Sequence, residues 1–96
     1  MAIYQDYDRL VSLPSVHHAI GAEKVLIAAG IKIVAMPTPR EIDISCGQCL
    51  LFKANDQAVV MEILRKHQIK WSKLFYRDAA KRLYEELASF GEDTDV

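Results

Sequence analysis

Apolar positions along the chain fall into short runs separated by turn residues, and the spacing inside each run predicts its element. Asp8 to Leu13 (DRLVSL) is mostly apolar and stops at Pro14, which reads as a first strand. Ser15 follows as a helix N-cap, and SVHHAIGAEKVLIAAG places Val16, Ala19, Ile20, Leu26 and Ile27 near one helical face, with Gly30 closing the C-terminus. Ile31 to Met36 (IKIVAM) and Cys49 to Lys53 (CLLFK) are the next two strands. Asn55 or Asp56 caps a second helix in which Val60, Ile63, Leu64 and His67 recur at helical spacing. Ile69 to Tyr76 (IKWSKLFY) is a fourth strand, its Trp71 and Phe75 alternating with polar neighbours as in a half-buried strand. Asp78 then starts a third helix with Ala80, Leu83, Leu87 and Phe90 on one stripe, and the acidic GEDTDV end is expected to fray.

Strand, helix, strand, strand, helix, strand is the order of a ferredoxin-like split unit, an α+β fold in which two helices cover one face of a four-stranded antiparallel sheet. The C-terminal helix is an addition, expected to cover the other face or to serve a homodimer. A chain of 96 residues that is 51% hydrophobic supports one core and not two, which predicts a single domain over 1–96. Its core spans about 8–76, its added helix about 78–90 and its tail 91–96. Right-handed crossovers then bring the end of strand one, the end of strand two and the starts of strands three and four to one edge of the sheet.

Charge narrows the partners. Twelve Lys and Arg stand against 13 Asp and Glu, with no basic excess to neutralise a phosphate backbone, so nucleic acid is a poor partner. The first residues, MAIYQDYDRL, lack the basic stretch and long apolar run of a secretory signal, and no apolar segment reaches membrane-spanning length. A cytoplasmic protein is the expectation. In that reducing compartment, two cysteines three positions apart are reactive or metal-binding more often than they are a structural staple.

Those cysteines lie in PTPREIDISCGQC, Pro37 to Cys49, on what the pattern makes a hairpin connection. Pro37 and Pro39 fix their own backbone angles and push the preceding residue toward extended geometry, so the stretch leaves the strand as a stiff spacer. Gly47 permits a turn beside Cys46. The arrangement would hold one sulfur at the surface near backbone amides, where a thiolate or persulfide is stabilised. A helix N-terminus or a cation lowers a thiol's pKa, and the expected edge supplies both, through Ser15 at the start of the first helix and through Arg40. The ordinary alternatives are small buried cysteines and an Arg40 at the surface or paired with Glu41. Cys46-x-x-Cys49 precedes a strand-like CLLF and does not open a helix, which argues against thioredoxin-type exchange. His17 or His18 is the better proton acceptor for Cys46, with His67 closing its own helix. A metal site from Cys46, Cys49 and His67, or four cysteines across a dimer, is the competing chemistry, with zinc the metal.

Ser15, the run AIGAEKVL from Ala19 to Leu26, Gly30 with Ile31, PTPRE from Pro37 to Glu41, and Ser45-Cys46-Gly47 together resemble the selenium/sulfur carrier protein-like family, a small domain formerly of unknown function. The resemblance spans about the first three quarters of the chain. It implies that Cys46 is the functional cysteine, with Arg40 beside it and Thr38, Ser45 and Gly47 in supporting positions, while Cys49 lies outside the core of the pattern. It also implies protein partners in sulfur or selenium transfer, and no cofactor beyond a covalent persulfide or selenide cargo. A carrier or accessory protein is thus expected in place of a stand-alone enzyme, with Cys49 as a resolving thiol in a two-thiol version. The alternative from another class is a non-catalytic interaction or regulatory module whose cysteine pair binds metal or senses redox state.

Overall fold

The strand at the centre of the sheet is the first one in the chain. The computed structural model describes residues 6–39, 42, 47–78, 80–81 and 83–90. In it β1 (Arg9–Leu13) is buried at every position after Arg9, because it lies between β3 (Gln48–Phe52) and β4 (Lys73–Asp78) and runs antiparallel to both. β2 (Val34–Pro37) adds to the far side of β3, and β5 (Leu83–Ser89) to the far side of β4. The result is an α+β fold with a five-stranded antiparallel sheet in the order β2-β3-β1-β4-β5. A strand enclosed on both sides and both faces has little room for polar groups. Ser12 is the buried polar exception, and its hydroxyl is satisfied by β4, accepting from Lys73 N at 3.1 Å and reaching Lys73 O at 3.4 Å.

Two helices lie on one side of this sheet. α1 (Val16–Ala28) begins where Pro14 has ended β1, with Ser15 in extended geometry and its hydroxyl accepting from His18 N. It ends at Gly30, whose φ of 84° lets Ile31 N reach back to Leu26 O at 3.0 Å. α2 (Gln57–Lys66) follows a 3₁₀ turn at Ala54–Asp56 and closes through Gln68, which takes a φ of 56° without being glycine. Alternation along the strands sends Val11, Leu13, Leu50, Phe52 and Leu74 to the helix side, where they pack with Ala19, Ala22, Leu26, Val60 and Leu64. The other face carries Leu10, Cys49, Leu51 and Phe75, and Tyr7, Val34, Met36, Ile42 and Tyr84 pack against it. Among the described residues, no helix is long and apolar enough to cross a membrane.

Two expectations need correction. The C-terminal segment is a strand and not a third helix: Leu83–Ser89 pairs with β4. Without it β4 would present a row of unpaired backbone groups, and pairing them outweighs the helix propensity of the Ala, Leu and Glu residues here. A β-bulge hides the alternation. Leu74 pairs with Ala88 but Phe75 pairs with Glu86, which leaves Leu87 between them. Tyr84 and Ala88 consequently pack on opposite faces although they stand four positions apart, and the four-position spacing of Leu83 and Leu87 reads as a helix.

The second correction concerns α1, which buries Ala19, Ala22 and Leu26 and exposes Val16, Ile20 and Ile27. Ala19 and Leu26 of the expected stripe are buried, but Ala22 joins them in place of Val16, Ile20 and Ile27, so the buried stripe is turned to one side of the expected one. Apolar residues surround α1, so periodicity does not choose a face. Its alanines let the helix approach a sheet already filled by Leu50 and Phe52. In α2, Val60 and Leu64 are buried as the pattern implies, while His67 is exposed.

Candidate functional site

One edge of the sheet gathers the connections that matter. Leu13 at the end of β1 pairs with Gln48 at the start of β3, which pairs with Pro37 at the end of β2. Ser12 pairs with Lys73 at the start of β4, and Ser72 N donates to Ser12 O at 2.7 Å. The β1–α1, β2–β3 and α2–β4 connections therefore meet at this edge, carrying Ser15, His17 and His18, then Thr38 and Gly47, then His67. Arg40, Ser45 and Cys46 lie outside the described residues, as do Glu41, Tyr4 and the 91–96 tail.

Local chemistry assigns several of these side chains. Ser15 caps α1, and its Oγ also lies 2.7 Å from His18 Nδ1, so this imidazole is held against the cap. His17 and His67 are exposed. Among the described residues, no group of three or more His, Cys, Asp or Glu side chains is arranged to hold a metal ion. The set Cys46, Cys49 and His67 includes one residue outside them.

Cys49 is a strand residue. It sits fully buried in β3, opposite Met36 on one side and Ser12 on the other, packed with Leu10, Leu51 and Phe75, and its Sγ is 3.9 Å from Pro37 O. That is the environment of a small apolar residue and not of a solvent-facing nucleophile.

The connection after β2 is built as a neck. Beyond the Pro37–Gln48 pair, Thr38 N donates to Gly47 O at 3.4 Å, drawing together the residue after Pro37 and the residue after Cys46. Ile42 N then bonds Pro39 O at 3.2 Å, a turn that brings the Ile42 side chain against the sheet face opposite the helices. At Ile42, then, the chain lies against the sheet face opposite α1. Thr38 brings a feature that its motif alone does not disclose. Its Oγ1 is buried and has no hydrogen-bond partner among the described residues.

A concavity opens on the helix side, between α2 and β5. It encloses about 400 Å³ over Trp71, Leu74, Leu87 and Phe90, with Met61 and Arg65 on the α2 side. The expectation of a third helix conceals it, because that helix would take the place of the strand that forms its wall.

No curated protein and no solved structure matches the chain. The family model described as Putative Se/S carrier protein-like matches residues 8–76, from the residue before β1 into β4 and through the whole Pro37–Cys49 connection, and the chain belongs to that family.

Proposed function

We propose that the protein carries sulfur or selenium on Cys46, as a protein partner between a donor and an acceptor. Membership of the carrier family over a stretch that includes PTPRE and Ser45-Cys46-Gly47 is the observation that carries this reading. The order β2-β3-β1-β4, with the two helices on one face, supports describing that part as a ferredoxin-like unit to which β5 has been added. The Thr38–Gly47 neck supports a thiol presented from a stiff base.

The transfer needs no outside oxidant. The Cys46 thiolate attacks the terminal atom of a donor persulfide or selenosulfide, a Cys46 S–S or S–Se bond forms, the donor's bond to that atom breaks, and the donor leaves as a thiolate. An acceptor nucleophile repeats the step and Cys46 leaves as a thiolate. Arg40 is assigned to stabilising the anion and His17 to taking the thiol proton. The burial of Cys49 favours the one-thiol version. In the two-thiol version Cys49 would attack Cys46 Sγ, close a disulfide and expel hydrosulfide or hydroselenide, and it would first have to leave the β3 core.

Incubation with a cysteine desulfurase and cysteine, or with a selenium donor, tests the reading by mass spectrometry of the intact chain. One added chalcogen atom that vanishes in Cys46→Ser and persists in Cys49→Ser is the expected result. A chain that stays unmodified with every donor and purifies with stoichiometric zinc would instead support the metal-binding interaction module.

A further inference from the structure

We propose that the slot between α2 and β5 docks an amphipathic helix of a protein partner, lying antiparallel to α2; this rests on the reading of the protein as one member of a transfer pair. The helix layer is one helix narrower than the sheet. α1 and α2 pack over β3, β1 and β4 and leave β5 uncovered, with Leu83, Leu87 and Phe90 exposed. Alternation from Leu74 puts Tyr76 and Asp78 on the helix side, and Glu85 and Leu83, which stand opposite them, share it. A sheet face buries such residues under another layer. The slot follows α2 from Gln57 to Arg65, about 12 Å at the helical rise, which suits apolar anchors at i, i+4 and i+7.

Charge decides which helix fits and in which direction. At one end, Glu85 stands opposite Tyr76, Tyr76 opposite Arg9, and Arg9 Nε donates to Gln57 Oε1 at 2.6 Å, so the Gln57 end is acidic. At the other end, Arg65 gives one N–H to Glu62 and keeps further donors. Helices favour acidic residues in their first turn and basic residues in their last. Such a helix matches the slot with its N-terminus at Arg65 and its C-terminus at Glu85, where its dipole also opposes that of α2. The chain itself does not supply it. GEDTDV, after Phe90, has one apolar side chain, and α1, despite its exposed Val16, Ile20 and Ile27, has no acidic residue in its first turn and no basic residue in its last. The place of the slot also suits a transfer partner. Phe90 N donates to Ser72 O and Ser72 N to Ser12 O, so the Arg65 end opens at the sheet edge where Pro37 pairs with Gln48. β3 lies three strand spacings from β5, roughly 14 Å, within the span of one docked domain.

Trp71 is the chain's single tryptophan and lines the slot, so its emission reports occupancy. The probe is a tryptophan-free helical peptide of about 15 residues, with leucines at i, i+4 and i+7, Glu in its first turn and Lys in its last, titrated into the full chain at low salt. A saturable change in emission is expected. Leu87→Asp, on the exposed rim, should weaken binding about tenfold or more. Exchanging the peptide's Glu and Lys should weaken it about two- to fivefold, and Arg65→Glu should abolish that preference, a readout that stands even if Leu87→Asp fails to fold. Ile20→Gln on α1 should bind as the wild type does. Absence of a saturable change overturns the proposal, as does equal binding by a folded Leu87→Asp. Tighter binding of decanoate than of the peptide overturns it in favour of an acyl ligand. Trp71 emission and sedimentation that both change with the concentration of the chain alone overturn it in favour of a second copy, a head-to-tail contact if α1 is the occupant. If the peptide binds as described and the chain never loads a chalcogen, the carrier reading fails and the slot stands. If the chain loads and the peptide does not bind, the slot fails and the carrier reading stands.

Discussion

The two helices lie on the same face of one sheet and are specified in opposite ways. α1 has strong local punctuation and a weak pattern: Ser15 caps its start and Gly30 its end, while apolar residues run around its circumference and leave Val16, Ile20 and Ile27 51, 50 and 58% exposed. α2 has the reverse. Its apolar stripe is clear, with Val60 and Leu64 fully buried, yet the Asp56 side chain makes no capping bond and the helix closes through a non-glycine residue in left-handed geometry. Punctuation fixes where a helix begins and ends, and amphipathicity fixes which way it faces. One signal does not substitute for the other, which is why the residues of α1 mark its ends well and its buried face badly.

The largest effects should come from the buried stripes themselves. Leu26→Ala in α1 and Leu64→Ala in α2 should each cost about 2–5 kcal/mol in urea denaturation, as expected for deleting a fully buried leucine. A cost under about 1 kcal/mol for Leu26→Ala, within the range of surface changes, would break the assignment of the buried face of α1.

The caps come next. Ser15→Ala should cost about 1 kcal/mol and Asp56→Ala within about 0.5 kcal/mol of nothing, since only the first side chain accepts a bond from its helix. Equal losses would remove the contrast between the two N-termini.

At the C-termini the signs should oppose. Gly30→Ala should cost about 1 kcal/mol, and the cost would be conformational, because an added Cβ meets nothing within 4 Å. Gln68→Gly should gain about 0.5 kcal/mol, with part of the relief cancelled by the greater freedom of glycine in the unfolded chain. Thermal unfolding of both variants measures the pair, and two shifts of the same sign would sink the comparison.

The smallest effect belongs to the outer face of α1. Ile20→Gln should change stability by no more than about 0.5 kcal/mol. A larger loss that depends on protein concentration would show that this face is covered in solution.

Most of the first four strands and both helices is legible in the sequence, because their ends carry Pro14, Ser15 and Gly30 and their interiors keep period. Boundaries slip where apolar residues extend beyond the pairing. Ile31 and Ile33 pack on the core without belonging to β2, and Trp71 is buried in the connection ahead of β4. β5 is illegible for a different reason, since the bulge at Leu87 erases the alternation that identifies a strand and only the open edge of β4 calls for one. At the candidate site, the motif from Pro37 to Gly47 can be read directly from residue types. The burial of Cys49 and the orphaned oxygen of Thr38 cannot, because both depend on which residues stand opposite across the neck.

The central position of β1 has a consequence for synthesis. Its Ser12 hydroxyl binds Lys73, 61 residues later in the chain, and its other neighbour is β3. At about 5–20 residues per second, a ribosome would hold β1 without its β4 partner for roughly 3–12 s. During that interval the central strand of the sheet has nothing to pair with on that side, and contacts so distant in sequence close slowly even afterwards. The nascent chain is therefore most exposed to aggregation before β4 emerges, and a truncation ending ahead of Lys73 should be a client for chaperones where the full chain is not.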